Sequence, residues 1–134
     1  MFNANSDRAK LKVLLVEDNE DQAEIIEELL LATSKGQKLS LNHVETLRAA
    51  QEILAQENFA VILLDLSLPD SYGIETVSSM QQYSCNTPIV VLTAQNDEEL
   101  AVQVIQAGAQ DYLIKTKIDR HLLIRSIRYA IERS

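Results

Sequence analysis

The sequence predicts an α/β protein, a doubly wound parallel five-stranded sheet with helices on both faces. Three observations lead there. Strand-like and helix-like patterns alternate five times along the chain, the order that a parallel sheet with crossover helices demands. The runs Val61-Ile-Leu-Leu64 and Ile89-Val-Val-Leu92 are apolar without alternation, as in strands covered on both sides. Between such runs, apolar residues recur at helical spacing on one stripe.

Asn3 to Lys10 is polar and reads as a flexible leader (residues 1–10), followed by one domain over 11–134. Lys12-Val-Leu-Leu-Val16 is a first strand that ends in Glu17-Asp18-Asn19-Glu20-Asp21. From about Asn19 to Thr33, Ala23, Ile26 and Leu30, with Ile25 and Leu29 beside them, fall at helical spacing, and the acidic first turn suits the helix dipole. Ser34-Lys-Gly-Gln-Lys38 ends that helix, and Leu39 to Val44 alternates as a second strand. Thr46 is an N-cap for a helix that turns Leu47, Ala50 and Leu54 to one side.

The third strand, Ala60 to Asp65, is the one around which the chain is organised, because it carries a single carboxylate to its end. Pro69 breaks the extended chain and Gly73 gives a flexible corner before the next helix. That helix is defined by Ile74, Val77 and Met80 and fades near Tyr83. Pro88 to Thr93 is a fourth strand ending in a hydroxyl. Asn96-Asp-Glu-Glu99 has a capping-box pattern and opens a helix expected to turn Leu100, Ala101, Val104 and Ile105 inward, with Gly108 free to take a positive φ after it. Asp111-Tyr-Leu-Ile-Lys115 is the fifth strand. Asp119 caps a last helix whose Leu123, Ile127, Ala130 and Ile131 face the sheet, while Arg120, Arg125, Arg128 and Arg133 stay in water.

The 134 residues, 46% of them hydrophobic, suffice for one continuous core. A formal charge of −8, from 20 acidic against 12 basic residues, repels phosphate backbones and anionic membranes, so direct nucleic-acid binding is not expected. The single cysteine, Cys85, forms no internal disulfide and no thiol metal cluster. It reads as a small loop or core residue. No apolar run reaches a membrane span and the N-terminus lacks a signal-peptide core. A soluble, cytoplasmic protein is the expectation.

In a parallel sheet the carboxyl ends of strands one, three, four and five share one edge, where open α/β sheets bind their ligands. Those ends carry Glu17 and Asp18, Asp65, Thr93 and Lys115. Each alone has an ordinary explanation as a helix-start acid, a strand-ending polar residue or a solvated lysine; their convergence discriminates. Three close carboxylates repel one another unless a cation neutralises them, and hard oxygen donors suit Mg²⁺. With Mg²⁺ present, Asp65 stays ionised and can attack a phosphoryl group, while Lys115 and the Thr93 hydroxyl engage phosphoryl oxygens. Ala94 is small and leaves that space open.

With Leu-Asp65-Leu-Ser-Leu-Pro69 and Gly73, Glu17-Asp18, Thr93-Ala94, Ala107-Gly-Ala-Gln-Asp-Tyr112 and Lys115, the chain resembles the receiver domain of two-component response regulators from Lys12 to Arg133. The resemblance implies a flavodoxin-like (βα)5 fold of strand order 2-1-3-4-5. It implies that Asp65 accepts a phosphoryl group from a histidine kinase or phosphotransfer protein. It also implies that Glu17, Asp18 and Asp65 hold Mg²⁺ together with the Ser67 main-chain carbonyl, and that Thr93 and Tyr112 form the switch pair. Two departures stand out. Receivers usually carry proline after the lysine, often through a cis bond; here Thr116 follows Lys115, so a trans bond and an altered loop are expected, since cis before a non-proline costs about 2.5–4 kcal/mol. Leu68 replaces a common methionine, a mild apolar exchange.

Other readings are weaker. His43 lies in the second strand without Cys or a second His nearby, so it is not expected to bind metal, and His121 reads as a surface residue. A phosphatase using an aspartyl-phosphate intermediate would resemble an Asp-x-Asp motif, and the position two after Asp65 is Ser67; the chain is therefore not read as an enzyme beyond its self-directed phosphoryl transfer and autodephosphorylation. A pseudo-receiver that binds partners without phosphorylation is disfavoured because the polar positions are all present. A nucleotide-binding domain of flavodoxin type lacks its glycine-rich loop. The acidic Asp97-Glu-Glu99 and the arginines of the last helix are complementary enough to suggest a homodimer through the last two helices and fifth strand. Ser67 and Gln95, beside the site, are expected to tune phosphoryl lifetime through water access.

Overall fold

The structure is a computed structural model that describes residues 10–31, 38–84 and 86–133. The leader's residues 1–9, the 34–37 part of the first helix terminator and Cys85 lie outside the described residues. Five parallel strands, β1 (Lys10–Val16), β2 (Lys38–Val44), β3 (Val61–Asp65), β4 (Ile89–Thr93) and β5 (Asp111–Ile114), form one sheet in the order β2-β1-β3-β4-β5. Helices α1 (Glu20–Leu31), α2 (Leu47–Leu54), α3 (Ile74–Tyr83), α4 (Glu98–Gln106) and α5 (Arg120–Arg133) connect and cover them. This is the expected flavodoxin-like (βα)5 order. Among the described residues no helix is long and apolar enough to cross a membrane.

The two-residue period of the central strands sorts their side chains into two cores. Leu14, Val16, Ile62, Leu64 and Val91 meet Leu47 and Ala50 of α2, Val77 and Met80 of α3 and Val104 of α4. Val13, Leu15, Val61, Leu63, Val90 and Leu92 meet Ala23, Ile26 and Leu30 of α1 and Leu123, Ile127 and Ala130 of α5. Val61 to Leu64 are wholly buried, which is why that stretch shows no polar alternation in sequence. Each such side chain contributes roughly 1.5–3 kcal/mol by leaving water. The end of β3 is thus held from both faces and from both neighbouring strands.

Most helix ends follow the sequence. Thr46 Oγ1 accepts from Ala49 N–H at 3.0 Å and Asp119 Oδ1 from Leu122 N–H at 2.8 Å. Gly108 follows α4 with φ 122°, a backbone conformation that favours glycine, and a Cβ there would stand 2.8 Å from the end of the Gln81 side chain, which would have to move aside. Three expectations need correction. The cap of α4 is Asp97, whose Oδ1 accepts from Glu99 and Leu100 N–H; the pattern from Asn96 placed it one residue early. Ile105 is 45% exposed while Val104 is buried, because consecutive helical residues lie about 100° apart and the inward stripe of this short helix passes through Val104. Lys115 belongs to a 3₁₀ turn, Lys115–Lys117, that follows β5 rather than to the strand. As expected, no cis peptide bond occurs among the described residues, the Lys115–Thr116 bond included.

A small structure unannounced by periodicity follows β3. Ser67–Leu68 and Ser71–Tyr72 pair antiparallel around Pro69 and Asp70, and Gly73 N–H closes the base of this hairpin on the Leu66 carbonyl at 2.8 Å. Gly73 turns the chain into α3 at φ 72°.

Candidate functional site

Each polar strand end falls on the same edge of the sheet. Glu17 and Asp65 are almost fully buried, at 1% and 5% exposure, and Asp18 is exposed. The parallel register of β1, β3 and β4 sets their heights, pairing Val16 with Leu64 and Asp65 with Leu92. As a result one oxygen from each of Glu17, Asp18 and Asp65 lies within 4.8 Å of the others. The 3₁₀ turn after β5 delivers Lys115, whose Nζ sits 2.5 Å from Glu17 Oε1 and 3.3 Å from Asp65 Oδ2. Thr93, Ala94, Gln95 and Ser67 line the same cleft, which has a volume of about 570 Å³.

The electrostatics fit a divalent cation. One ammonium faces three carboxylates, so the cluster is left with two negative charges to balance. Burial raises the Glu17 carboxyl above its ordinary value; Lys115 opposes the rise and the Asp65 charge adds to it. Glu17 Oε1 is buried and accepts no aligned hydrogen bond beyond its contact with the Lys115 ammonium. All the facing donors are hard oxygens, the set that Mg²⁺ takes while keeping several waters. Glu17, Asp18 and Asp65 are the side chains able to hold it.

Neighbouring main-chain groups tie the carboxylates down. Asn19 N–H donates to Glu17 Oε2 at 3.2 Å and Ser67 N–H to Asp65 Oδ1 at 3.3 Å. Thr93 Oγ1 accepts from Gln95 N–H at 3.2 Å. Tyr112 does not line the cleft. Its hydroxyl donates to the Gln95 carbonyl at 2.5 Å and its oxygen accepts from Asp97 N–H at 3.4 Å. Thr93 and Tyr112 are therefore joined through the two sides of one residue, Gln95.

Three contacts around the site were not readable in the sequence. His43 Nε2 lies 2.6 Å from the main-chain oxygen of Glu17. Asp111 anchors β5 to α5, its Oδ2 accepting from Ser126 Oγ at 2.6 Å. Asp70, at the hairpin tip, accepts from Leu47 and Arg48 N–H at 2.9 and 3.0 Å. Slight burial opposes ionisation of Asp70, but these N–H donors outweigh it and lower the carboxyl below its ordinary value. The only early signal was residue type, since aspartate is suited to capping helix starts.

Fold, strand-end carboxylates and lysine together define a doubly wound α/β module with an acidic site at the carboxyl edge of its sheet, and comparison with known proteins makes that specific. Residues 13–128 match the response regulator receiver domain, and the chain belongs to that family, part of two-component signalling. It is similar to the response regulator protein PilR of Pseudomonas aeruginosa, at 36% identity over 107 residues, covering 80% of this chain and 23% of that protein. Similarity to the transcriptional regulatory protein SrrA of Staphylococcus aureus is 31% over 112 residues, covering 84% of this chain and 45% of that one. The chain thus spans less than half the length of either. Among solved structures, the signal receiver domain of a protein described as a Luxo repressor from Vibrio parahaemolyticus superposes with a TM-score of 0.80 at 31% identity, over 92% of both chains. An acidic triad of this kind is typical of the Mg²⁺ site of receivers.

Proposed function

We propose that the protein is a phosphorylation-dependent signalling switch in which Asp65 accepts a phosphoryl group from a histidine kinase or phosphotransfer protein. The observation that carries this is the unbalanced carboxylate cluster around a buried Asp65 within reach of Lys115. An Asp65 carboxylate oxygen forms the new bond to phosphorus as the donor's bond breaks, and the electron pair leaves with the donor. Lys115 is placed to balance charge that develops on a phosphoryl oxygen, and the Thr93 hydroxyl can donate to another. Glu17, Asp18, Asp65 and the Ser67 main-chain carbonyl would hold Mg²⁺, which would supply charge neutralisation when bound.

The output is a change of binding surface. A hydroxyl drawn toward the phosphoryl group frees the Gln95 amide, and the Tyr112 hydroxyl on the Gln95 carbonyl carries that change to the outer side of α4 and β5. Exposed Val102 and Ile105 on α4 suit a partner on that side, including a second copy of the chain. The switch acts in the cytoplasm, is not an enzyme toward other substrates, and has no role for direct nucleic-acid contact by this domain.

Intact mass after incubation with acetyl phosphate tests this reading. The expected result is a Mg²⁺-dependent gain of one phosphoryl group in the native chain and none in Asp65→Asn. A phosphoryl gain that survives in Asp65→Asn contradicts it.

A further inference from the structure

We infer that Asp70 is a positioning residue of the site: its carboxylate pins the hairpin after β3 to the start of α2 and so fixes the Ser67 main chain against the bound cation. The inference rests on the proposed Mg²⁺ site and deepens it. The hairpin has two residues in each arm, Ser67–Leu68 and Ser71–Tyr72, and a ribbon that short is not stable by itself. Its base is closed by Gly73 N–H on the Leu66 carbonyl, and Ser71 Oγ pairs with Thr76 Oγ1 at 2.7 Å on the α3 side. On the α2 side Leu68 is buried. The polar tie there is Asp70, with each carboxylate oxygen taking one of the first N–H groups of α2.

Those two bonds reach back 23 and 22 residues. Thr46 caps Ala49 N–H from the helix's own side, and the Asp70 bonds take the Leu47 and Arg48 N–H groups that it leaves. What they add is a fixed distance between α2, whose Leu47 and Ala50 are set in the core beside Val16 and Leu64, and the loop that carries Ser67. Ser67 N–H in turn holds Asp65 Oδ1. Loosening the tip loosens both the carbonyl proposed to face the metal and the amide that orients the phosphoacceptor.

Thr46→Ala supplies the control, since it weakens the same helix start without touching the hairpin. Mg²⁺ titrated calorimetrically into the native chain, Asp70→Ala, Asp70→Asn and Thr46→Ala separates the roles. Asp70→Ala is expected to weaken Mg²⁺ binding about tenfold, in the range seen when groups that orient metal ligands are removed. Asp70→Asn, whose amide oxygen can keep one bond, should recover part of the loss, and Thr46→Ala should bind as the native chain does. Equal binding by Asp70→Ala, or an equal loss in Thr46→Ala, overturns the inference and leaves the site intact. Absence of binding in the native chain overturns the metal site itself and the inference with it. If Asp70→Ala does not fold, native-like affinity in Asp70→Asn with no change in Gly73 amide exchange is the overturning result.

Discussion

The two ends of the sheet use charge in opposite ways. At the amino edge, Lys12 pairs with Glu57 at 2.5 Å and lies 4.9 Å over the Phe59 ring, one cation for one anion, with both side chains more than a third exposed. At the carboxyl edge, three carboxylates cluster, and Lys115 pairs with the two buried ones, Glu17 and Asp65. The first arrangement is complete in itself and serves to close the end of the core. The second carries more negative than positive charge, and that imbalance is what the proposed Mg²⁺ site rests on. Burial decides the difference in energy, because like charges interact far more strongly away from water.

Substitutions sharpen that contrast. The largest effect is expected at Lys115. Lys115→Ala should lower the rate of phosphoryl acceptance from acetyl phosphate by roughly 10²-fold, the scale for losing one preorganised charge partner. Lys12→Ala should leave that rate unchanged, and a common loss in both would erase the distinction between the two edges.

Asp70 comes next, with an effect on stability as well as on the metal. Asp70→Ala should cost about 1 kcal/mol in chemical denaturation at neutral pH, the usual worth of a helix-start acceptor. Because its folded-state value is lowered, the Asp70 contribution is present above the ordinary aspartate range and fades as pH falls through the lowered value. The gap between native chain and Asp70→Ala should therefore narrow in acid. A gap that is constant from neutral pH to about pH 2.5 would mean that ionised Asp70 is not the acceptor.

The smallest effect belongs to the amino edge. Lys12→Ala should destabilise by about 1 kcal/mol or less, since an exposed ion pair contributes little and its stacking on Phe59 adds a similar amount. High salt should reduce the difference. A loss of several kcal/mol would show that this edge also stores buried charge.

The same contrast explains what was legible in the sequence. Five strands, five helices and their order followed from periodicity, because Val61 to Leu64 and Ile89 to Leu92 admit little but buried strands. The cluster was legible because Asp65 and Thr93 end strands and Glu17 and Asp18 directly follow one, and parallel topology brings strand ends together. Lys115 was assigned to the strand end but reaches the site from a turn one residue beyond it. Local patterns failed where partners are remote or margins are narrow. Asp70 bonds α2 across more than twenty residues, and nothing in Leu-Pro-Asp70-Ser announces a helix start elsewhere. His43 meets a main-chain oxygen, which no side-chain pattern encodes. Ile105 and Val104 are equally apolar neighbours, and the tilt of a short helix chose between them.

Thermal unfolding of the native chain and Asp65→Asn, each in EDTA and again in saturating Mg²⁺, addresses the unbalanced charge most directly. In EDTA the variant should melt higher, by an amount corresponding to about 1 kcal/mol, because one of three crowded charges is gone while the Lys115–Glu17 pair is kept. In Mg²⁺ the native chain should gain the more, about 2.7 kcal/mol at a hundred times its dissociation constant, and the order should close or reverse. An Asp65→Asn protein that melts below the native chain in EDTA, with equal gains from Mg²⁺ in both, would contradict a carboxyl edge built around missing positive charge.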